Sequence, residues 1–398
     1  MRNWPREYDR GGRIILEARL HRFKAMGMAS ARYEASVVIT TKNRRAELPR
    51  AVQSAVDQSA AVEVIVMDDG STDGTQEMLR TDFPRVKVFR AEHSRGLIVQ
   101  RNLAAKQASA PVVFSIDDDA IFPSPHTVEQ TLAEFNHPRI GAVAIPYVDV
   151  RKSDQVLQKA PDTERLYVSF TYRGTAHALL RDLFLWLTGY RGHLIHQMEE
   201  GDYTTRMINA GYVTRVGRAD PIHHFESPQR DLTRAMTYHA RNHVLYAWHN
   251  VPMPHFVPHL LGTTSNMLRL GVSSGYCGTV IRGLFTGYRA LFNGQYQRQP
   301  VTRQAYRLCR ELIKCQVAPL SEIEPRLPEM EAGGGSGRLC GCLGLAHGGA
   351  TRGAAVWRQR LLLRGQCAGR GDGCVSPCAS MVAWVRRGSE EEARFPRR

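Results

Sequence analysis

From Ser36 onward the apolar positions fall into a repeating order of short continuous runs and spaced, helix-like runs. Ser36-Val-Val-Ile-Thr40 is β-branched and ends in polar residues. Leu48, Val52, Ala55 and Val56 within Glu47–Gln58 have helical spacing. Val62–Met67 is a second continuous run, stopped by Asp68-Asp69-Gly70-Ser71. Residues 74–80 suit a short helix, Val86–Phe89 a strand and Ile98–Ala108 a helix. Pro111–Ile116 is a further buried strand, stopped by Asp117-Asp118-Asp119. Strands without alternation, separated by amphipathic helices, predict a mostly parallel sheet covered on both faces. In such sheets ligands bind outside the carboxyl ends of the strands. Thr40, Asp68-Asp69 and Asp117–Asp119 all fall there.

Further along, Ile140–Val150 reads as strand, Ala176–Thr188 and Gly201–Ala210 as helix, and Tyr212–Val216 as strand. Leu232 to about Gln316 is helical, with arginines interleaved among apolar residues. After Pro328 the composition changes: residues 328–398 hold 14 of the 34 glycines and 11 arginines, with no Lys, Tyr, Asn or Ile. Such a bias does not build a conventional core, so disorder is expected there. No internal repeat is visible. The expected organisation is a basic extension over 1–33, an α/β catalytic domain over 34–231, a helical subdomain over 232–327 and the tail over 328–398.

The 398 residues carry 53 Lys+Arg against 38 Asp+Glu, a formal net charge of +15. Two thirds of that excess lies in the two flanks. Residues 1–33 have 8 basic and 3 acidic side chains, and 328–398 have 11 Arg and 6 acids. The middle is therefore only mildly basic, and no nucleic-acid partner is expected. Hydrophobic residues at 43% and charged residues at 23% are an ordinary globular balance, which excludes wholesale disorder, collagen-like and coiled-coil readings. No apolar run reaches the ~18 residues a membrane span needs, and the N-terminus lacks the apolar segment of a secretory signal. Five of the eight cysteines lie in the tail, at Cys340, Cys342, Cys367, Cys374 and Cys378, without the paired spacing of a zinc site. A reduced, cytoplasmic protein is the expectation.

Three adjacent carboxylates at Asp117–Asp119 repel one another. They are tolerated when a divalent cation sits among them, and oxygen ligands suit Mg²⁺ or Mn²⁺. Asp69 can accept hydrogen bonds from a base, although Asp68–Thr75 also reads as a simple capped turn. Glu199-Glu200-Gly201-Asp202 opens a helix, where acids are favoured by the dipole, but the same acids can supply a general base. Arg95 and Arg101-Asn102, around a helix start, suit a diphosphate. His223-His224 follow a strand and can supply a metal ligand.

Taken together these blocks resemble an inverting nucleotide-sugar glycosyltransferase of family 2. The matching pieces are Val38–Arg44, Val66–Asp73, Gly96 with Arg101-Asn102, Asp117–Asp119, and Glu199-Glu200 with Arg206 and Ala210-Gly211-Tyr212. The resemblance covers about residues 34–250. It implies a GT-A, Rossmann-like α/β fold with a C-terminal helical segment, and a direct displacement in which an acceptor hydroxyl attacks the anomeric carbon. By resemblance, Thr40 and Asp69, with Asp68 beside them, hold the nucleotide. Arg101 sits near the diphosphate, and Asp117 and Asp118 contact ribose or sugar. Asp119, with Asp117, holds the metal, for which His224 is the further candidate ligand from the residues themselves. The family usually has Glu-Asp where this chain has Glu199-Glu200; counting back from Arg206 places Glu200 at the position of the base, with Asp202 the alternative. The implied partners are a nucleotide-diphosphate sugar and a saccharide or lipid-linked acceptor, in cell-surface glycan assembly. Segment 232–316, with Arg234, Arg241, Arg269, Arg282 and Arg289, packs on the core or docks peripherally on the inner face of the membrane. Neither a Gln-x-x-Arg-Trp signature nor membrane spans accompany these blocks, which favours single additions over processive synthesis.

Three rival readings make different demands of the residues. A sugar-phosphate nucleotidyltransferase needs a Gly-rich loop after the first strand, and Thr40–Arg44 has no Gly. Prenyl-diphosphate enzymes use Asp-Asp-x-x-Asp on helices, whereas Ala-Ile-Phe-Pro follows Asp119. A non-catalytic basic protein binding nucleic acid or anionic lipid through a degenerate transferase core predicts salt-sensitive binding and no metal-dependent nucleotide binding.

Overall fold

The structure, a computed structural model, describes residues 32–226 and 231–330. The predicted extension over 1–33, except for its last two residues, and the predicted tail beyond residue 330, with its five cysteines, lie outside the described residues.

Thirteen strands and ten principal helices order the described chain. They are β1 (Ala35–Thr41), α1 (Leu48–Val56), β2 (Val62–Asp68), α2 (Thr75–Asp82), β3 (Lys87–Arg90), α3 (Leu97–Gln107), β4 (Val112–Asp117), β5 (Ala120–Ile121) and α4 (Thr127–Ala133). Then come β6 (Ile140–Ala144), β7 (Tyr147–Asp149), β8 (Val156–Leu157), β9 (Tyr167–Ser169), β10 (His177–Leu180), α5 (Arg181–Trp186), α6 (Glu199–Asn209), β11 (Val213–Val216) and β12 (Ile222–His224). The C-terminal part is α7 (Leu232–Asn250), α8 (Phe256–Ser273), α9 (Cys277–Phe292), α10 (Arg303–Cys315) and β13 (Val317–Pro319).

The main sheet has nine strands in the order β13-β9-β11-β6-β10-β4-β1-β2-β3. β1 is parallel to both β2 and β4, and β2 to β3. All seven residues of β1 are buried, as a strand covered on both faces requires. α1 covers one face with Leu48, Ala51, Val52 and Ala55, the i, i+3, i+4, i+7 stripe of an amphipathic helix, and Pro49 starts its first turn. The register brings the strand tips level: Thr40 lies beside Met67 and Asp117, and Thr41 beside Asp68. A second sheet, β5-β12-β7-β8, stands next to these tips. The α/β class with a mostly parallel core is thus as expected from the apolar pattern.

Two expectations are corrected. Ala176–Thr188 is not one helix. His177–Leu180 is a strand inserted antiparallel between β4 and β6, and only Arg181–Trp186 is helical. The strand is buried throughout, and a continuous apolar run buried on every side has no periodicity to distinguish strand from helix. Ile140–Val150 is two strands in different sheets, separated at Ile145-Pro146, where proline removes a ladder donor.

The helical segment is continuous with the sheet's packing. Tyr246, Ala247, Tyr306, Leu308 and Leu312 share a hydrophobic cluster with Val168, Ile208 and Val213. β13 returns to pair with β9 at the sheet edge. α9 lies close on α7 because Gly283 and Gly287 present no side chain there. A Cβ at Gly283 would stand 2.4 Å from the Thr237 carbonyl oxygen, and one at Gly287 would stand 2.9 Å from that of Arg241.

Candidate active site

The tips of β1, β2 and β4 carry the acidic loops to one edge of the sheet. Asp68 closes the turn after β2: it is fully buried, its Oδ1 accepts the Ser71 N–H at 2.8 Å, and Arg90 Nε stands 3.5 Å from its other oxygen. Gly70, at φ +81°, makes that turn. Asp69 points the other way, toward the start of α3. It accepts from Ser94 Oγ (2.5 Å), Arg95 N (2.7 Å), Gly96 N (3.0 Å) and Gln100 Nε2 (2.6 Å). Burial pushes its pKa up, but these four donors outweigh burial and hold it below the ordinary carboxylate value. Thr40 Oγ1, at the neighbouring tip, is buried and makes no hydrogen bond to a described residue.

The Asp117–Asp119 triplet spreads its carboxylates in three directions. Asp117 Oδ1 accepts from Arg101 Nη2 at 2.8 Å. Asp118 accepts from Thr41 Oγ1 at 2.8 Å. Burial, with repulsion from both neighbouring aspartates, raises its pKa to about 7 against the pull of Thr41 and Arg44. Asp119 lies 3.6 Å from Arg44 Nη2 and 3.3 Å from His224 Nε2.

Arg101 is the hub of the site. Its side chain is 4% exposed, so it is an interior clamp rather than an open anion hook. Besides Asp117 it donates to the Gly174 carbonyl at 2.9 Å, and its other terminal nitrogen stands 3.8 Å from Glu199 and 3.9 Å from Glu200. One guanidinium thus ties the end of β4 to the start of α6. Gly174 is required for this approach, since a Cβ there would lie 2.6 Å from Glu200 Oε1 and 2.8 Å from Arg101 Nη1. Burial raises the pKa of both glutamates, with repulsion from Glu200 and Asp117 adding to the rise of Glu199 and repulsion from Asp117 to that of Glu200, and Arg101 opposes the rise in each. Glu200 is the more exposed, 19% against 4%, and Arg173 additionally favours its ionised form.

Asp117, Asp119 and His224 offer two oxygens and one nitrogen within 4.8 Å of one another. The donor chemistry suits a hard or borderline divalent cation. Two further observations fit one. His224 Nε2 is buried without an aligned hydrogen bond. Its Nδ1 faces Asp149 Oδ1 at 3.5 Å, the carboxylate–imidazole pairing that fixes the tautomer of metal-ligating histidines. Burial lowers the His224 pKa, but contacts with Asp119 and Asp149 dominate and raise it to about 9. A proton therefore supplies the positive charge these carboxylates call for.

Asp202 belongs to a different group. It is 1% exposed and accepts from Arg191, from Arg206 (Nη2 at 3.1 Å) and from Asn250 Nδ2 (2.8 Å), which outweigh burial and lower its pKa. The loop before α6 is unusual: Ile195, Gln197 and Met198 all have positive φ. Asn242 of α7, fully buried, holds it by donating to the carbonyls of Leu194, His196 and Gln197.

The structure therefore gathers Asp117, Asp119, His224, Arg101 and Glu200 together, with Asp118 alongside. Thr40, Asp68 and Asp69 lie at the adjoining tips, and Asp202 is held apart. The sequence assigns no role to Gln100, Asp149, Arg173 or Asn242, and gives Arg44 only a place in the Val38–Arg44 block. Asp149 carried a usable signal, an acid ending an apolar run. Asn242 carried none, because an Asn inside a helical pattern is indistinguishable from a surface residue.

Residues 36–184 match the family model described as Glycosyl transferase family 2. The succinoglycan biosynthesis protein ExoU of Rhizobium meliloti is 36% identical over 99 residues, 24% of this chain and 29% of that protein. An uncharacterized glycosyltransferase of Haemophilus influenzae is 32% identical over 201 residues, 47% of this chain and 66% of that protein. The mannosyltransferase PcManGT from Pyrobaculum calidifontis, solved with GDP-Man and Mn²⁺, superposes with a TM-score of 0.45 at 18% identity, over 79% of this chain and 90% of that one. The chain thus spans under a third of ExoU's length. The tips of β1, β2 and β4, with the acidic loops that carry Asp69 and Asp117–Asp119, lie within the residues that match this family of glycosyltransferases.

Proposed function

We propose that the chain transfers a sugar from a nucleotide-diphosphate sugar to an acceptor hydroxyl with inversion, assisted by Mg²⁺ or Mn²⁺, in the assembly of a glycan. The observation that carries this reading is the Arg101 bridge, which brings Asp117 and the Glu199–Glu200 pair to a single guanidinium. The name of the Rhizobium relative supports the glycan setting.

In this reading Asp117, Asp119 and His224 hold the cation, which when bound supplies positive charge against the donor's diphosphate. Thr40 contributes an unsatisfied hydroxyl and Asp69 a carboxylate to nucleotide binding, and Asp118 faces ribose or sugar. Two buried glutamates beside one arginine share a proton at neutral pH. Glu199, more deeply buried, retains it. Glu200, nearer solvent and helped by Arg173, is ionised and takes the proton of the acceptor hydroxyl. That oxygen then forms its bond to the anomeric carbon as the bond to the diphosphate oxygen breaks on the opposite face, so the configuration inverts. Arg101 keeps Glu200 aimed and holds Asp117 at the end of β4.

Glu200→Gln tests this. Transfer should fall by at least ~100-fold, the usual scale of a lost general base, with nucleoside diphosphate affinity by calorimetry nearly unchanged. Near-normal turnover in Glu200→Gln removes it from the role of base, and Asp202→Asn is the paired control.

A further inference from the structure

We propose that α8 and α9 form a docking surface for an anionic lipid bilayer, lying on the membrane rather than crossing it. The apolar part is organised as two stripes. On α8, Val257, Leu261, Leu268 and Val272 are exposed; on α9, Ile281, Phe285 and Phe292 are exposed, Phe292 at 78%. At about 100° per residue, the four positions of α8 fall within about 60° of arc and the three of α9 within about 40°. The stripes do not face the protein. Met267 and Leu270 on α8, and Val280 and Leu284 on α9, turn instead toward Met236, Ala240 and Val244 of α7. Seven large apolar side chains are thus exposed on two adjacent helices, a concentration of the kind that marks an interaction site rather than the scattered single residues of an ordinary surface.

Charge selects the partner. From residue 232 to residue 310 the chain has nine Arg and no Lys, Asp or Glu. Arg269, Arg282 and Arg289 are exposed on these two helices, and none makes an ion pair with a described residue. Helical geometry places them about 60–90° from the centres of the apolar stripes. From there a guanidinium reaches the phosphate level while its stem and the stripe rest on the acyl boundary. No helix among the described residues is long and apolar enough to cross a membrane. A second copy of the chain would set the same unbalanced arginines against each other, with no carboxylate on this surface to receive them. Anionic headgroups complement both parts of the surface at once.

The full chain should float with phosphatidylcholine vesicles containing about one third phosphatidylglycerol and stay behind with phosphatidylcholine alone. No donor is needed, so the result is independent of the transferase reading. Leu261→Ser/Phe285→Ser/Phe292→Ser should weaken binding at least tenfold. Arg269→Gln/Arg282→Gln/Arg289→Gln should weaken it and flatten its salt dependence. Both variants alter exposed positions, and unchanged melting and nucleoside diphosphate binding verify that each is folded. The proposal is overturned if the wild type ignores anionic vesicles, or if both variants bind as it does, which would place the attraction in other basic segments. It is also overturned if light scattering shows a dimer that the apolar variant converts to monomer.

Discussion

Asn242→Ala should disable transfer from a position that touches no reacting atom. The Asn242 side chain is fully buried and reaches the carbonyls of Leu194, His196 and Gln197 at 2.8, 2.8 and 2.9 Å, while its Oδ1 accepts from Arg241 at 2.9 Å. An amide has two protons for those three acceptors. Two net hydrogen bonds of ~1 kcal/mol and one charge-assisted bond of ~1.5 kcal/mol give a clamp of roughly 3.5 kcal/mol. Opposing it is backbone strain. Ile195, at φ 66° and ψ −50°, sits in a γ-turn closed by the His196 N–H to Leu194 oxygen bond of 2.7 Å, a rare conformation for a β-branched residue. Gln197 and Met198 add two more left-handed positions, and each such residue stores ~1 kcal/mol or more.

Clamp and strain are therefore of similar size, and removing the first releases the second. Met198 immediately precedes Glu199 and Glu200, so the released loop loses the aim of the pair. Against a tenfold change per ~1.4 kcal/mol, we expect kcat/KM for transfer to fall between ~10- and ~100-fold. Nucleoside diphosphate affinity should change little, because Thr40 and Asp69 lie on other elements. Hydrogen exchange at the His196 amide should accelerate by a similar factor, while the melting temperature drops by only a few degrees. Asn242→Asp, which keeps the acceptor for Arg241 but loses the donors, should behave like Asn242→Ala. If Asn242→Ala leaves His196 exchange and transfer within twofold of wild type, the loop does not depend on this clamp.

Asp149→Asn should lower Mn²⁺ affinity ~10- to ~100-fold, the scale of losing a carboxylate that orients a ligating histidine; calorimetry with and without nucleoside diphosphate reads it directly. The pH profile of kcat should lose activity as pH falls through the Glu200 pKa, which burial lifts above 4.5. Arg173 pulls that pKa down, so Arg173→Met should move the acidic limb to higher pH; movement the other way contradicts the assignment. Gly283→Ala should lower the melting temperature, because its Cβ meets the Thr237 carbonyl backbone at 2.4 Å. Overpacking of ~1–3 kcal/mol exceeds the ~1 kcal/mol that alanine gains in helix propensity.

What was legible in the sequence is what sits on regular elements. β1, β2 and β4 announce themselves because burial on both faces leaves them mostly apolar, and the acids that stop them mark one edge of the sheet. β10 was misread for the same reason: a strand buried everywhere looks like a buried helix. Two helix starts carry local punctuation in the chain, Pro49 in the first turn of α1 and Asp231, whose side chain caps α7 by accepting the Arg234 N–H. β13 was missed because three residues at a sheet edge carry no periodicity.

The site was legible as a set of acids but not as a circuit. Sequence placed Arg101 against a diphosphate, since arginine at a helix start suits an anion. The fold instead buries that arginine, and the anions it meets are the protein's own Asp117, Glu199 and Glu200. Likewise Asp202, three helical positions from Glu199, points to Arg191 and Arg206. At about 100° per residue, Glu199 and Asp202 are about 60° apart on α6, close enough for either to look available. What separates them is which arginine the tertiary structure delivers to each. Arg101 arrives from α3, and Arg191 from the loop after α5, while Arg206 lies one turn along α6 itself. A carboxylate held by two arginines and an asparagine is poorly suited to accept a proton, because every one of those partners stabilises its charged form. Glu200 has a different balance, with burial raising its proton affinity and arginines only partly offsetting it. The difference between a structural acid and a basic one thus lies in long-range partners, not in the local sequence.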